Sequence, residues 1–338
     1  MRRSWCLLPW LLVAGLAGCS PEPGAAAGWS SAAPEVVAAA LESPRHARFP
    51  DQVLLPWGDA AGEVGLWPGA PERPPAGPDC LTWAHDGGVW LNDPHNGRVV
   101  HLGPDGSWQG SLATPPAVEG LLGLPDGGLL LLGLANRRLI RLSAKGEVLE
   151  ERGLHPAFRT IAGLAWGADG ELRLVTGYQE TYSLGHPGSP RRWPELLRTR
   201  QEGVAGVSGG RPVQVVLTDS TGTLLWYERT STLPGKRPEP TAVPLAGTAG
   251  AASLRVLDAD HAGRSLLLEE RHAGEQVARR LRVFDGEGRD AGSLVLPEVG
   301  LYLPRTEFAA GPEGVLLQLR PLPDGLVLAR YTWPEVQP

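Results

Sequence analysis

The sequence predicts an all-β protein, specifically a six-bladed β-propeller built from four-stranded antiparallel blades. Three observations lead to this fold class. The 338 residues include 45 Gly and 33 Pro and show no long helical pattern. Short apolar runs alternate with turn dipeptides such as Asp-Gly and Asn-Gly, which are typical of β-hairpins. The pattern also repeats along the chain at a period near 40 residues, as propeller blades do.

The repeat is clearest when residues 86–108 are aligned with residues 126–148. Eight of the 23 positions are identical without a gap. Average residue abundances give only about one or two chance identities over such a length. Each unit is predicted to hold four strands, which in the first unit are Cys80–Ala84, Val89–Asn92, Arg98–Leu102 and Ser107–Leu112.

The repeat extends to six predicted units, which start near residues 79, 119, 162, 202, 253 and 306. The last unit has room for only three strands. We therefore expect the segment Phe49–Trp67 to supply its fourth strand and to close the ring, which removes two free sheet edges. The alternative is a seven-bladed ring, in which residues 49–78 or 225–250 form a sheet of their own.

The N-terminus carries the signals of an exported protein. Arg2 and Arg3 precede an apolar run from Leu7 to Ala17, which is too short to cross a bilayer. The run ends in Leu16-Ala17-Gly18-Cys19, which resembles the lipobox of bacterial lipoproteins. That resemblance implies a signal peptide at 1–18, acylation of Cys19 and, because Ser20 is not Asp, an outer-membrane lipoprotein that faces the periplasm. The alternatives are an ordinary signal peptide with a chance Cys, or twin-arginine export.

The mature chain divides into two predicted parts. Residues 19–48 form a tether rich in Pro, Ala and Gly, whose composition cannot bury a core, and residues 49–335 form the propeller. Loss of Arg2 and Arg3 with the signal takes the formal charge from −6 to −8. This charge argues against nucleic acid as a partner and against electrostatic docking on anionic lipid. The predicted membrane contact is therefore the acyl anchor at Cys19.

The first unit also resembles the NHL repeat. The residues that carry this resemblance are Pro78, Gly87, Asp93, Asn96, Arg98, Val99 and Gly106. The resemblance extends to residues 118–152, although Gly133 stands there in place of the family's Asp. Beyond residue 152 only the outline of the repeat is retained. It implies the same propeller fold as the repeat itself.

Candidate binding residues come from the start of the first strand of each unit. This strand lines the central channel of a propeller, and its N-terminal end opens at one mouth. The corresponding positions hold Asp79, Glu119, Ala162, Glu202, Ser253 and Thr306, with Glu307 one place further. We expect Asp79, Glu119, Glu202 and Glu307 to ring this mouth and to favour a cation, a metal or a basic ligand. The alternative is that these carboxylates are solvated surface groups.

No catalytic residue and no metal-ligand set is predicted. His85 and His95 fall in turns and His101 falls in a third strand, so they do not offer alternate residues on one strand face. The expected function is non-catalytic binding of a protein, peptide or glycan ligand. One alternative is an enzyme that resembles the propeller lactonases and lyases, with a divalent cation in the channel, although no Asn lies near the channel end of an inner strand. The other alternative is a scaffold for envelope assembly, whose known propellers have eight blades.

Overall fold

A computed structural model describes residues 49–332. It leaves out residues 159, 167–170, 177–179, 187–188, 191, 193–196, 198–200, 203, 209–210, 218–222, 229–240, 260–263, 274–275, 286, 298–299 and 312–314, and for residues 201–241 it describes no side chains. Strand β1 spans Gln52–Leu55 and precedes the first repeat unit.

The first three sheets follow the chain in order. Sheet 1 contains β2 (Leu81–Trp83), β3 (Val89–Asp93), β4 (Arg98–Leu102) and β5 (Trp108–Ala113). Sheet 2 contains β6 (Gly120–Gly123), β7 (Leu129–Gly133), β8 (Arg138–Leu142) and β9 (Val148–Gly153). Sheet 3 has five strands, β10 (Ile161–Trp166), β11 (Leu172–Thr176), β12 (Glu180–His186), β13 (Ser189–Pro190) and β14 (Gln201–Glu202).

The remaining sheets have four strands each. Sheet 4 contains β15 (Val204–Ser208), β16 (Arg211–Leu217), β17 (Thr223–Glu228) and β18 (Thr241–Pro244). Sheet 5 contains β19 (Ser253–Ala259), β20 (Ser265–Ala273), β21 (Gln276–Phe284) and β22 (Asp290–Val295). Sheet 6 contains β23 (Phe308–Ala310), β24 (Val315–Leu322), β25 (Gly325–Thr332) and β1.

This arrangement confirms the predicted fold class, an all-β propeller of small antiparallel sheets. The segments that the seven-bladed alternative requires belong to sheets of other units. Gln52–Leu55 pairs with β25, and Thr241–Pro244 pairs with β17. Within the described ranges, no helix has the length and apolar character needed to span a membrane.

The predicted closure of the ring is also confirmed. β1 lies antiparallel to β25, with Gln52 opposite Ala329 and Leu55 opposite Leu326. A second link joins the inner parts of sheets 6 and 1, where the Thr306 amide donates to the Asp79 carbonyl at 2.9 Å. The two ends of the described chain are thus joined by the backbone hydrogen bonds of one sheet.

The first strand of each unit lies innermost. β2 contacts β6, β6 contacts β10, β15 contacts β19, and β23 contacts both β19 and β2. We call the end where these strands begin the mouth face, which carries Asp79, Glu119 and Thr306. The opposite end, which carries the turns at residues 85–88 and 103–106, is the turn face. Phe49 lies at the turn face, since its ring is 6.0 Å from that of Trp83 at the far end of β2.

The core consists of layers between neighbouring sheets, and β7 shows how the sequence builds them. Successive strand residues point to opposite faces. Leu129 and Leu131 therefore pack with residues of sheet 1, whereas Leu130 and Leu132 pack with residues of sheet 3. All four side chains are buried. A continuous apolar run, rather than an alternating one, is the expected sequence for a strand covered on both faces.

The Asp-Gly-Gly turns explain the strongest part of the repeat. In the first unit, Gly87 has φ +87°, a conformation that glycine adopts without strain. The Gly88 amide donates to the Asp86 side chain at 2.9 Å, and a Cβ on Gly88 would meet the Leu102 carbonyl oxygen at 2.0 Å. The second unit repeats this geometry at residues 126–128. The three identities are therefore required by the turn itself.

Candidate functional site

The mouth face begins at Asp79, two residues before β2. Its backbone is held by Thr306, and its Oδ1 accepts a hydrogen bond from Asn92 Nδ2 at 2.8 Å. Burial raises the pKa of the Asp79 carboxyl, while hydrogen bonds from Asn92 and Cys80 and the positive charge of Arg305 oppose that rise. Asp79 as a residue is partly exposed.

Glu119 occupies the same place in sheet 2, one residue before β6. Its amide donates to the Leu132 carbonyl at 2.8 Å, which fixes the backbone. Its Oε2 accepts from the Leu134 amide at 3.0 Å, and its Oε1 lies 3.6 Å from Arg305 Nη2. The side chain is 23% exposed. The structure therefore places the first two predicted carboxylates at the start of neighbouring inner strands, as expected.

Arg305 is a mouth residue that the sequence analysis missed. It lies in the loop before β23, and its side chain is 41% exposed. The same guanidinium acts on both Asp79 and Glu119, so charged groups from sheets 6, 1 and 2 converge at one place. We refer to Asp79, Glu119 and Arg305 as the mouth triad. Nothing in the spacing of the repeat marks Arg305, because it precedes the strand rather than opening it.

Asn92 is the second residue that the sequence analysis missed. It lies on β3, the second strand of sheet 1, and is fully buried. Its Nδ2 donates both to Asp79 Oδ1 and to the Val118 carbonyl, at 2.8 and 3.0 Å. Its Oδ1 is buried and has no donor among the described residues. The expectation that no Asn lies near the channel end of an inner strand is therefore wrong, because Asn92 reaches that end from the neighbouring strand β3.

Glu307 is placed differently from the mouth triad. Its side chain is 5% exposed and forms a two-pronged ion pair with Arg279 of β21, in which Nη1 donates to Oε1 at 2.8 Å and Nη2 donates to Oε2. Gln318 Nε2 also donates to Oε1 at 2.6 Å. The carboxylate thus lies between sheets 5 and 6, where its acceptors are already used.

Glu202 lies two residues before β15, as Asp79 lies two residues before β2, so its place at the mouth stays a prediction. It belongs to β14, where it lies opposite Glu180 of β12. Gln201 and Glu202 thus form a short extra strand on sheet 3 just before the chain enters sheet 4. The side chain of Glu202 lies outside what the structure describes.

The NHL-like residues Asp93, Asn96 and Arg98 form a structural network. Asp93 is fully buried and accepts from Gly65 N, Asn96 Nδ2 and Arg98 Nε at 3.0, 2.9 and 3.0 Å. Arg98 also donates to three backbone carbonyls of residues 59–63. This network fastens the segment after β1 onto the mouth face. Asp93, Asn96 and Arg98 therefore stabilise the fold through these contacts.

His85, His95 and His101 are the histidines that lie close together in the sequence. His85 and His95 lie in turns, as predicted, and His101 lies on β4, where its ring stacks on Trp90 at 4.2 Å. Among the residues that the structure describes, no three His, Cys, Asp or Glu side chains are grouped as metal ligands would be. Cys80 is buried with a free thiol, and burial raises the pKa of that thiol. Cys19 and the rest of the predicted signal peptide and tether lie outside the described residues.

No protein-family model matches the chain, and no curated protein matches it. Solved structures do resemble it. A member of the DUF4221 family from Bacteroides vulgatus has a TM-score of 0.47 at 12% identity and covers 83% of this chain and 98% of its own. BamB from Moraxella catarrhalis has a TM-score of 0.39 at 11% identity and covers 76% and 83%. A gluconolactonase from Xanthomonas campestris has a TM-score of 0.40 at 16% identity and covers 81% and 92%. Likeness at this level concerns the fold alone.

Proposed function

We propose that the protein is an outer-membrane lipoprotein, anchored through acyl chains on Cys19, whose propeller binds a protein, peptide or glycan ligand non-catalytically at the mouth face. The observation that supports this proposal best is the mouth triad. Three ionisable side chains from three different sheets converge where the inner strands begin, and they remain partly exposed. Asp93 and Glu307, by contrast, are buried and paired with arginines.

The position of the predicted tether is compatible with this function. The described chain starts at Phe49 on the turn face, and Pro50 lies beside Gly106 in a turn of that face. A flexible tether of about 30 residues spans on the order of 30 Å. The described chain therefore enters the propeller at the end opposite the mouth triad.

A metal-dependent enzyme is less well supported by the same geometry. A hard divalent cation needs six or more oxygen ligands. At the mouth, Asp79 and Asn92 are hydrogen-bonded to each other, and Glu119 is turned toward a backbone amide and Arg305. Non-catalytic binding accounts for these groups without a further ligand set.

The test is a crosslinking pull-down from envelopes with the full-length acylated protein. The wild type is compared with a double variant, Asp79→Asn with Glu119→Gln, and with a matched control, Glu151→Gln. Glu151 is an exposed carboxylate that pairs with Arg138 on the outer strands of sheet 2. The proposal predicts a partner that the wild type and the control retain and the double variant loses. Equal recovery by all three would overturn it, and stoichiometric divalent metal in the purified protein would favour the enzyme.

A further inference from the structure

We propose that the mouth triad recognises a basic side chain, an ammonium or a guanidinium, of a protein or peptide partner, and that Arg305 occupies this position until the partner displaces it. This inference rests on the proposed function and names the chemistry of its ligand. It makes Arg305 an internal competitor rather than a ligand-binding residue. The mouth would then select a cationic partner over an anionic one.

The first argument is the balance of donors and acceptors. Glu119 Oε2 has a backbone donor, but Oε1 has only Arg305 at 3.6 Å, which is beyond hydrogen-bond distance. Beside Asp79, the buried Asn92 Oδ1 has no donor among the described residues. Bond lengths of 1.23 and 1.33 Å within the amide place this oxygen within about 2.6 Å of Nδ2, and hence within about 5.4 Å of Asp79 Oδ1. Buried acceptors are normally satisfied, so this cluster has a surplus of acceptors.

The second argument is charge. Two carboxylates and one guanidinium leave the mouth triad with a formal charge of −1. Two carboxylates near the mouth triad are neutralised by arginines, since Asp93 is bound by Arg98 and Glu307 is bound by Arg279. The whole chain has a formal charge of −6, which adds a long-range attraction for basic partners. A group that carries several N–H donors and a positive charge fits this place, whereas an anion would face two carboxylates.

The third argument is that Arg305 is easily displaced. Its one polar contact among the described residues is the 3.6 Å approach to Glu119. Arg279, by comparison, is buried and binds both oxygens of Glu307. Exposed ion pairs with loose geometry contribute little to stability. Arg305 therefore shows that a guanidinium can lie beside the Glu119 carboxylate and act on the charge of Asp79, while its own hold on that position is weak.

A nearby apolar group suits the aliphatic part of a basic side chain. Leu303 lies two residues before Arg305 and is 63% exposed. Lysine and arginine place their methylene stems on apolar surface while the charged end stays polar. A partner side chain that replaces Arg305 could therefore rest its stem near Leu303.

The experiment is calorimetric titration of the full-length protein in detergent with tri-arginine amide at low salt. Wild type is compared with Arg305→Gln, Glu119→Gln and the control Glu151→Gln, after circular dichroism has shown that each variant is folded. We expect Arg305→Gln to bind about 2- to 5-fold more tightly, since an exposed competing ion pair is removed. Glu119→Gln should bind about 10-fold more weakly, since a charged acceptor is lost. The control should match the wild type.

Unchanged or weaker binding of tri-arginine amide by Arg305→Gln would overturn the inference, because Arg305 would then not compete with the cationic ligand for this position. An equal loss in Glu119→Gln and in Glu151→Gln would overturn it as well, because the attraction would then be diffuse. If tri-arginine amide does not bind while partner capture still depends on Asp79 and Glu119, the ligand class is wrong and the proposed function stands. If capture is also independent of both carboxylates, the proposed function fails too.

Discussion

The ion pair between Arg279 and Glu307 allows a quantitative test of how the ring is held together. Both side chains are 5% exposed, and the pair connects sheet 5 to sheet 6 near the mouth face. Among the described residues, replacing Glu307 by Leu leaves the buried Arg279 guanidinium with the 3.3 Å contact to Glu270 as its remaining ion pair. It also removes the acceptor of Gln318 Nε2. Breaking one side of a buried ion pair typically costs about 3–5 kcal/mol.

A double variant separates the pair from the packing around it. Arg279→Met combined with Glu307→Leu removes both charges and keeps similar volumes. Because replacement of a whole buried pair by apolar groups is often neutral or stabilising, we expect the double variant to recover most of the loss. If the pair is buried as described, the changes in the free energy of unfolding at positions 279 and 307 should not add, and the coupling energy between them should be large.

The assay is urea unfolding followed by tryptophan fluorescence, with Glu151→Gln as the control for an exposed pair. The side chains of Arg138 and Glu151 are 52% and 43% exposed, so the control should lose less than about 1 kcal/mol. A loss below about 1 kcal/mol for Glu307→Leu would refute the structural role of Glu307. So would a double variant as unstable as the single one. Either result would return Glu307 to the set of carboxylates available to a ligand.

Two further predictions concern carboxylates of sheet 1. Burial raises the pKa of the Asp79 carboxyl, so the folded protein favours the protonated carboxyl. The stabilisation that comes from this protonated form is complete below the pKa of the unfolded chain and is lost as pH rises through the pKa of the folded protein. Asp79→Asn should therefore be more stable than the wild type at pH 7 and equal to it below about pH 4, and unfolding curves whose difference does not change with pH would contradict this. Asp93→Ala should cost about 3–5 kcal/mol, because it leaves Arg98 without its buried partner and Gly65 N and Asn96 without an acceptor. An unchanged thermal midpoint would show that the network does not fasten residues 59–65.

The strand positions were predictable because they depend on local chemistry. The Asp-Gly-Gly turns require glycine, and the apolar runs between them match strands that are buried on both faces. The predicted first unit agrees with β2 to β5 to within one residue at each end. The short last unit also indicated that an N-terminal strand closes the ring, and β1 does so.

The site was less predictable because it depends on contacts between units. Asp79 and Glu119 were found from the repeat, since both open an inner strand. Glu202 has the same offset from its inner strand, but the spacing gave no sign that it also pairs with β12 as part of β14. The pairing of Glu307 could not be foreseen, because its partner lies 28 residues away on another sheet. Asn92 and Arg305 reach the mouth from a second strand and from a loop, where the repeat gives no signal.

The most direct test of the central claim is to map where the partner contacts the propeller. A photoreactive benzoylphenylalanine replaces Leu303 at the mouth face or Leu149 on β9, which are 63% and 50% exposed. The acylated protein is then irradiated in intact cells. The account predicts a crosslinked partner from position 303, none from position 149, and loss of the product when Asp79→Asn and Glu119→Gln are added. Crosslinking from position 149 alone, or a product at 303 that ignores both carboxylates, would contradict a ligand site at the mouth.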